Sequence, residues 1–207
     1  MELEARLNAT QPGSVRPGGR TAKVRAAVLE ATGEALADNG FHALNLDRIA
    51  AAAGVGKTTV YRRWGSAVGL VTDLLRDMAE QSLPASDTGS LEGDLRANAR
   101  LVLDTLTDPR MGPLFRAVIA AAACDEECAD ALRGFYATRL SEWAPVAERG
   151  LARGELPAGT DPLEVVRAVS APLYYRFAVS REPLTPDTAE RAASAALAAA
   201  EAGAYVV

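Results

Sequence analysis

The chain has 207 residues, of which 49% are hydrophobic and only 5% aromatic, with alanine abundant throughout. That length and composition suit one sizeable core or two small ones built from closely packed helices, and they exclude a disordered or disulfide-stapled protein. The formal net charge of -5 argues against a uniformly basic nucleic-acid binder, but the bases are unevenly placed: residues 16–66 carry eight bases against four acids. A local cationic surface is what DNA requires, and an acidic remainder discourages nonspecific adhesion.

Residues 1–19 hold Pro12, Gly13, Pro17, Gly18 and Gly19 and few large apolar groups, so a flexible arm is expected. The stretch Val15 to Arg25 is basic, and Arg16 and Arg20 are candidates to enter a minor groove. No leader-like apolar run begins the chain and no segment reaches the length of a membrane span, so a cytoplasmic protein is expected, with no membrane partner. From Arg20 to Asn39 the positions Val24, Ala27, Val28, Ala31 and Ala35 form one apolar helical stripe, stopped by Asn39 and Gly40.

The most informative stretch follows, LDRIAAAAGVGKTTVYRRW from Leu46 to Trp64. Asn45 stands where a helix wants a side-chain acceptor for its unpaired amides, and Asp47 suits the positive end of the helix dipole. Ala50 to Ala52 keep that helix slim, Gly54 can end it in the left-handed conformation, Val55 can plug the angle, and Gly56 can open the next helix. In the second helix Val60 and Trp64 share the inward face. Lys57, Thr58, Thr59, Tyr61, Arg62 and Arg63 remain for base edges and phosphates, with Asn45 and Ser66 at the flanking helix starts. A phosphate-binding loop is the competing reading of GVGKTT, but its first glycine would be Ala51, and an alanine-rich helix stands where a buried strand is needed. After Trp64, Ser66 is placed to cap an amphipathic helix running to about Gln81.

These residues carry a resemblance. With Gly40, Phe41, Ile49, Ala50, Ala53, Gly54, Val55, Lys57, Thr59, Tyr61, Arg62 and Trp64 at the expected spacings, residues 20–83 resemble the DNA-binding domain and connecting helix of TetR-type transcriptional regulators. The resemblance implies an all-α fold: a three-helix helix-turn-helix domain joined by a connecting helix to a C-terminal helical domain that binds a ligand and dimerises. Two positions depart from the pattern. Gly56 stands where serine or threonine is common, and Ala67 where a lysine often contacts phosphate.

The small, polar segment Pro84 to Ser90 separates this unit from residues 91–207. Five helices are expected there, at Leu91 to Thr107, Met111 to Ala123, Asp125 to Arg153, Pro162 to Ser180 and Pro186 to Glu201, with a kink at Pro145. Two apolar stripes stand out, the second made largely of small residues. Val166, Val169, Leu173 and Phe177 form one, and Ala189, Ala193, Ala196 and Leu197 the other; each can be intramolecular core or half of a four-helix dimer interface, and we take the dimer. Residues 153–196, with their PLYYR stretch, are similar to the C-terminal part of a subgroup of these regulators.

A ligand cavity is expected among the middle helices, with Leu103, Phe115, Ile119, Phe135, Leu140, Trp143 and Tyr174 as its candidate lining. Those apolar and aromatic walls suit a small organic effector. Cys124 and Cys128, four apart, have no histidine nearby, and His42 is the single histidine, so neither a metal, a cofactor nor a catalytic group is expected. The resulting expectation is a ligand-responsive regulator, a homodimer on double-stranded operator DNA and not an enzyme. Its rivals are a ligand-independent activator or architectural binder, a nucleotide-binding enzyme, and a helical interaction module.

Overall fold

A computed structural model describes residues 19–81 and 85–207. Arg16 and the arm before Gly19 lie outside the described residues; Arg20 is described only by its helical backbone. Nine α-helices account for the architecture among the described residues: α1 (Gly19–Asn39), α2 (Leu46–Ala52), α3 (Lys57–Trp64), α4 (Ala67–Glu80), α5 (Leu91–Thr107), α6 (Met111–Ala122), α7 (Glu126–Ala152), α8 (Pro162–Tyr174) and α9 (Pro186–Glu201).

Side-chain caps start most of them. Asn45 Oδ1 accepts from the amides of Asp47 and Arg48 at 2.9 and 3.2 Å, and Ser66, Ser90, Asp125 and Asp161 cap α4, α5, α7 and α8 in the same manner. Thr185 and Thr188 cap α9 reciprocally. Each satisfies amides that have no partner within the helix, contributing about 1 kcal/mol.

Two apolar clusters organise the chain. In the smaller, α1 supplies Val28 and Ala31, α2 supplies Leu46, Ile49 and Ala50, α3 supplies Val60 and Trp64, and α4 supplies Leu70. The larger runs from Leu29 and Leu36 of α1 through Val71, Leu74 and Leu75 of α4 to the remaining helices. The same α4 therefore has one turn in each cluster, with Leu70 in the first and its neighbour Val71 in the second. Close to the larger core, Asp94 is fully buried and accepts from Thr88 (backbone 2.7 Å, hydroxyl 2.9 Å) and from Arg149 at 3.1 Å, tying the segment before α5 to α7.

Helix α7 runs through Pro145 to Ala152, close to its expected span. Two local features differ from the sequence expectation. The helix expected to run from Pro162 to Ser180 stays α-helical only to Tyr174, then widens into a π-turn at Tyr175–Ser180, three residues after Pro172, which has no amide to donate. The second is the stripe on α8 and α9. Val166, Val169, Leu173, Phe177, Ala189, Ala193 and Ala196 are all 4% exposed or less within the single chain, and Leu197 is half-buried. They pack against α5, α7 and each other, because helices this rich in alanine can approach closely enough to fill the space inside one subunit. The faces of α8 and α9 open to solvent are the opposite ones.

Candidate DNA interface and effector cavity

The reader is built by local rules. Gly54, with φ 64°, takes the left-handed turn that ends α2, and Val55 donates back to the Ala50 carbonyl at 2.9 Å. Residues Gly54 to Thr59 thus form a turn and a helix start between two helices, with no strand before them, which removes the phosphate-loop geometry. Val60 and Trp64 point into the small core, leaving Lys57, Thr58, Tyr61, Arg62 and Arg63 exposed and Thr59 half-buried.

The exposed edge is not uniformly free. Tyr61 is 50% exposed and Arg62 projects without an ion pair among the described residues, whereas Arg63 stacks on the ring of Trp64 with 5.0 Å from guanidinium carbon to centroid. Lys57 Nζ lies 2.7 Å from Asp47 Oδ2, a contact between the two helices of the reader that raises the lysine pKa. Asn45 and Ser66 use their oxygens as caps, leaving the Asn45 amide nitrogen and the Ser66 hydroxyl proton available for phosphate.

Behind the reader sits a polar joint that sequence reasoning placed elsewhere. Arg25, counted as part of the basic arm, turns inward: its Nη2 lies 2.9 Å from Asp73 Oδ1 and its Nε donates to both Asp73 oxygens, while Nη1 pairs with Asp77. Asp73 also accepts from Trp64 Nε1 at 2.9 Å. Burial raises the Asp73 carboxyl, but the hydrogen bonds from Arg25 and Trp64 and the charges of Arg25 and Arg63 outweigh it and hold the group below its ordinary value. One carboxylate on α4 therefore fastens both α1 and the reader α3. Gly69 completes the seat, because a Cβ there would stand 2.1 Å from the Trp64 carbonyl oxygen.

Below this joint, α4 to α8 enclose a cavity of about 300 Å³. Five of the expected residues line it: Phe115, Phe135, Leu140, Trp143 and Tyr174. Leu103 and Ile119 do not. Leu103 is 4% exposed on the core face of α5, and Ile119 is half-buried one turn beyond the cavity end of α6. Val166, expected at a dimer interface, lines the cavity instead, as do Met78 and Gln81 at the end of α4. The aromatic wall is continuous: Phe115 meets Phe135 at 5.6 Å, Phe135 meets Tyr136 at 5.3 Å, and Tyr136 meets Tyr174 edge-on at 5.2 Å. Arg139 lies over Phe135 at 5.0 Å, pairs with Glu142 at 2.7 Å and donates to the Met78 carbonyl, so the cavity wall holds the C-terminal turn of α4 directly. Desolvation raises the hydroxyl pKa values of Tyr136 and Tyr174, keeping both neutral.

Comparison with known proteins gives this arrangement its family. Residues 28–74 match the family model described as bacterial regulatory proteins, tetR family, and residues 85–196 match the tetracyclin repressor-like C-terminal domain. The chain belongs to the TetR family. Among its relatives, YdeS of Bacillus subtilis, named as an uncharacterized HTH-type transcriptional regulator, is 30% identical over 74% of this chain and 78% of its own. AqdR of Rhodococcus erythropolis, an HTH-type transcriptional regulator, is 31% identical over 71% of this chain and 70% of its own. The crystal structure of the TetR family regulator SCO0332 superposes with a TM-score of 0.69 at 29% identity, covering 85% of this chain and 97% of that one. This TetR-family member is thus a DNA-binding transcriptional regulator. Among the described residues no helix is long and apolar enough to cross a membrane.

Proposed function

We propose that the regulator is a homodimeric repressor that binds a roughly palindromic operator and is released by a small organic effector held in the α4–α8 cavity. The observation that supports this most directly is the double role of α4. Its C-terminal turn, through Met78 and Gln81, borders the cavity, and one to two turns earlier Asp73 hydrogen-bonds to Trp64 of the reader. An effector that pushes on Met78 acts on the same rigid rod that carries the reader.

Dimerisation places two readers about 34–36 Å apart, or a multiple of that, in successive major grooves. The buried stripes are unavailable for this, so the dimer uses the outer faces: Leu163, Ala171, Tyr175 and Val179 of α8 and its π-turn, with Arg191, Ala195 and Ala198 of α9. Leu163 is 37%, Tyr175 59% and Val179 67% exposed, a row of large apolar groups that a soluble monomer has little reason to display. A change in inter-reader spacing lowers operator affinity because both half-sites can no longer be met together. A coupling of about 1–3 kcal/mol, or roughly 5- to 150-fold, suffices. NalD of Pseudomonas aeruginosa, described as the secondary repressor of a multidrug efflux pump, shares the fold at 24% identity and a TM-score of 0.58, which is consistent with repression as the mode of action.

The test begins with selection of bound sequences from random duplex DNA, which yields the operator. Distances between spin labels on the two readers are then measured with and without a ligand that releases it. Release with unchanged distances would refute the spacing mechanism, and enrichment of no inverted repeat would refute the dimeric reader.

A further inference from the structure

The polar groups of the cavity divide into those already satisfied and those that are not. Thr105 donates to the Leu101 carbonyl at 2.8 Å and Ser170 to the Arg167 carbonyl at 3.2 Å, so both hydroxyl protons are committed to their own helices. Arg139 is neutralised by Glu142 and held by the Met78 carbonyl. Gln81 donates to Asp77, and the hydroxyls of Tyr136 and Tyr174 pair with each other. Asn98 remains: it is 95% buried, lines the cavity, and its carboxamide oxygen has no hydrogen-bond partner among the described residues. A buried carboxamide oxygen left unpaired keeps the full cost of its desolvation, so its place in a wall whose other polar groups are satisfied marks where a ligand group completes it.

Resting on the effector-cavity reading above, we infer that the site takes an uncharged, flat aromatic molecule of one or two fused rings bearing a hydroxyl or N–H group. The carboxamide of Asn98 pairs with that group, and the rings pack against Phe115, Phe135 and Trp143. Charge is disfavoured because the single cation in the wall already has its carboxylate, and an added ion would be buried without a partner. A purely hydrocarbon ligand fills the space but leaves Asn98 unsatisfied. A hydroxyl or N–H supplies the missing contact, and the carboxamide, with a donor as well as an acceptor, also discriminates against ligands lacking polar edges.

The experiment is calorimetric titration of the full-length protein, without DNA, using 2-naphthol, naphthalene and 2-naphthoate as probes of nearly equal shape. The expected result is that 2-naphthol binds about tenfold or more tightly than either of the others, the size of one well-made hydrogen bond in a dry site. In Asn98→Leu the advantage of 2-naphthol over naphthalene disappears while naphthalene binding stays within about threefold, which also shows that the variant retains its cavity. Tightest binding by 2-naphthoate, an undiminished naphthol preference in Asn98→Leu, or no binding by any of the three overturns the inference. The release mechanism fails separately, when a probe that binds leaves operator affinity unchanged.

Discussion

Replacing Asp73 by Asn keeps the shape of the side chain and removes its charge, leaving one oxygen to accept where two served Arg25 and Trp64. The Asp73 side chain is 16% exposed and its Arg25 partner 22%, which puts the pair between a surface ion pair worth about 0–1 kcal/mol and a buried one whose disruption costs about 3–5 kcal/mol. With Asp77 still holding Arg25, a loss of about 2 kcal/mol is expected. Urea denaturation of Asp73→Asn, Arg25→Gln and the double variant at one fixed protein concentration measures it, since a dimer's stability depends on concentration. The double variant should lose less than the sum of the singles by about 1 kcal/mol, because both remove the same contact. Operator affinity should fall as well, since the reader loses its hold on α4. A loss below about 0.5 kcal/mol, or strict additivity, would refute the joint as the coupling between α1, α3 and α4. The sign with pH follows from the lowered carboxyl pKa: the contribution is present above the ordinary aspartate value near ~3.9 and is lost as pH falls through the lower folded value. Asp73→Asn should therefore flatten the acid limb of the stability profile.

Other outcomes can be stated with it. Tyr61→Ala and Arg62→Ala should each weaken operator binding by about 1–3 kcal/mol in anisotropy titrations while leaving the melting temperature nearly unchanged, since both side chains are exposed. Asp94→Ala, which removes the acceptor of Thr88 and leaves Arg149 with the Ser86 carbonyl and Asp87, should destabilise by about 1.5–3 kcal/mol in thermal or urea unfolding. Tyr175→Glu combined with Val179→Glu should give a folded monomer in sedimentation, where a dimer of unchanged strength would contradict the proposed interface. Burial, with the charge of Asp125 adding to it, pushes the Cys128 thiol up to about 11, while Cys124 is exposed. A disulfide reagent at pH 8 should titrate one thiol in the native protein and two after denaturation.

How much was legible depended on how local each signal is. The reader was legible because its determinants are neighbours in the chain: Asn45 caps amides two and three residues on, Gly54 turns one step after α2, and Val60 and Trp64 lie four apart. Arg25 was not, because its partner is 48 residues away and a base near a reader looks like a phosphate ligand until Asp73 is placed beside it. The stripes of α8 and α9 show the limit of periodicity. Spacing identifies which side chains share a face, but an intramolecular core and a dimer interface demand the same small apolar residues, and only the positions of α5 and α7 distinguish them. For the cavity the same limit displaced the expectation by part of a turn. On α5, the strongly apolar Leu95, Ala99 and Leu103 fill the core, while the mixed face of Asn98, Leu101, Val102 and Thr105 borders the open space. A ligand site keeps polar groups that a core rejects, so on α5 the search for apolar residues pointed one face away from it, while on α6, α7 and α8 it met Phe115, Phe135, Leu140, Trp143 and Tyr174.

The contact between Lys57 and Asp47 changes how binding to DNA should respond to salt. An exposed, unpaired lysine that meets a phosphate displaces a cation condensed on the DNA, and the release of those ions drives association. Lys57 instead brings its own counterion, fixed in the preceding helix. Docking exchanges that carboxylate for a phosphate and leaves Asp47 facing the duplex without its cation. The slope of log affinity against log salt should therefore be shallower than a tally of basic side chains on the reader implies, and Asp47→Asn should steepen it. A steeper slope in Asp47→Asn would mark this acid as a brake on nonspecific adhesion that leaves the aromatic and hydroxyl contacts a larger share of the choice between sequences.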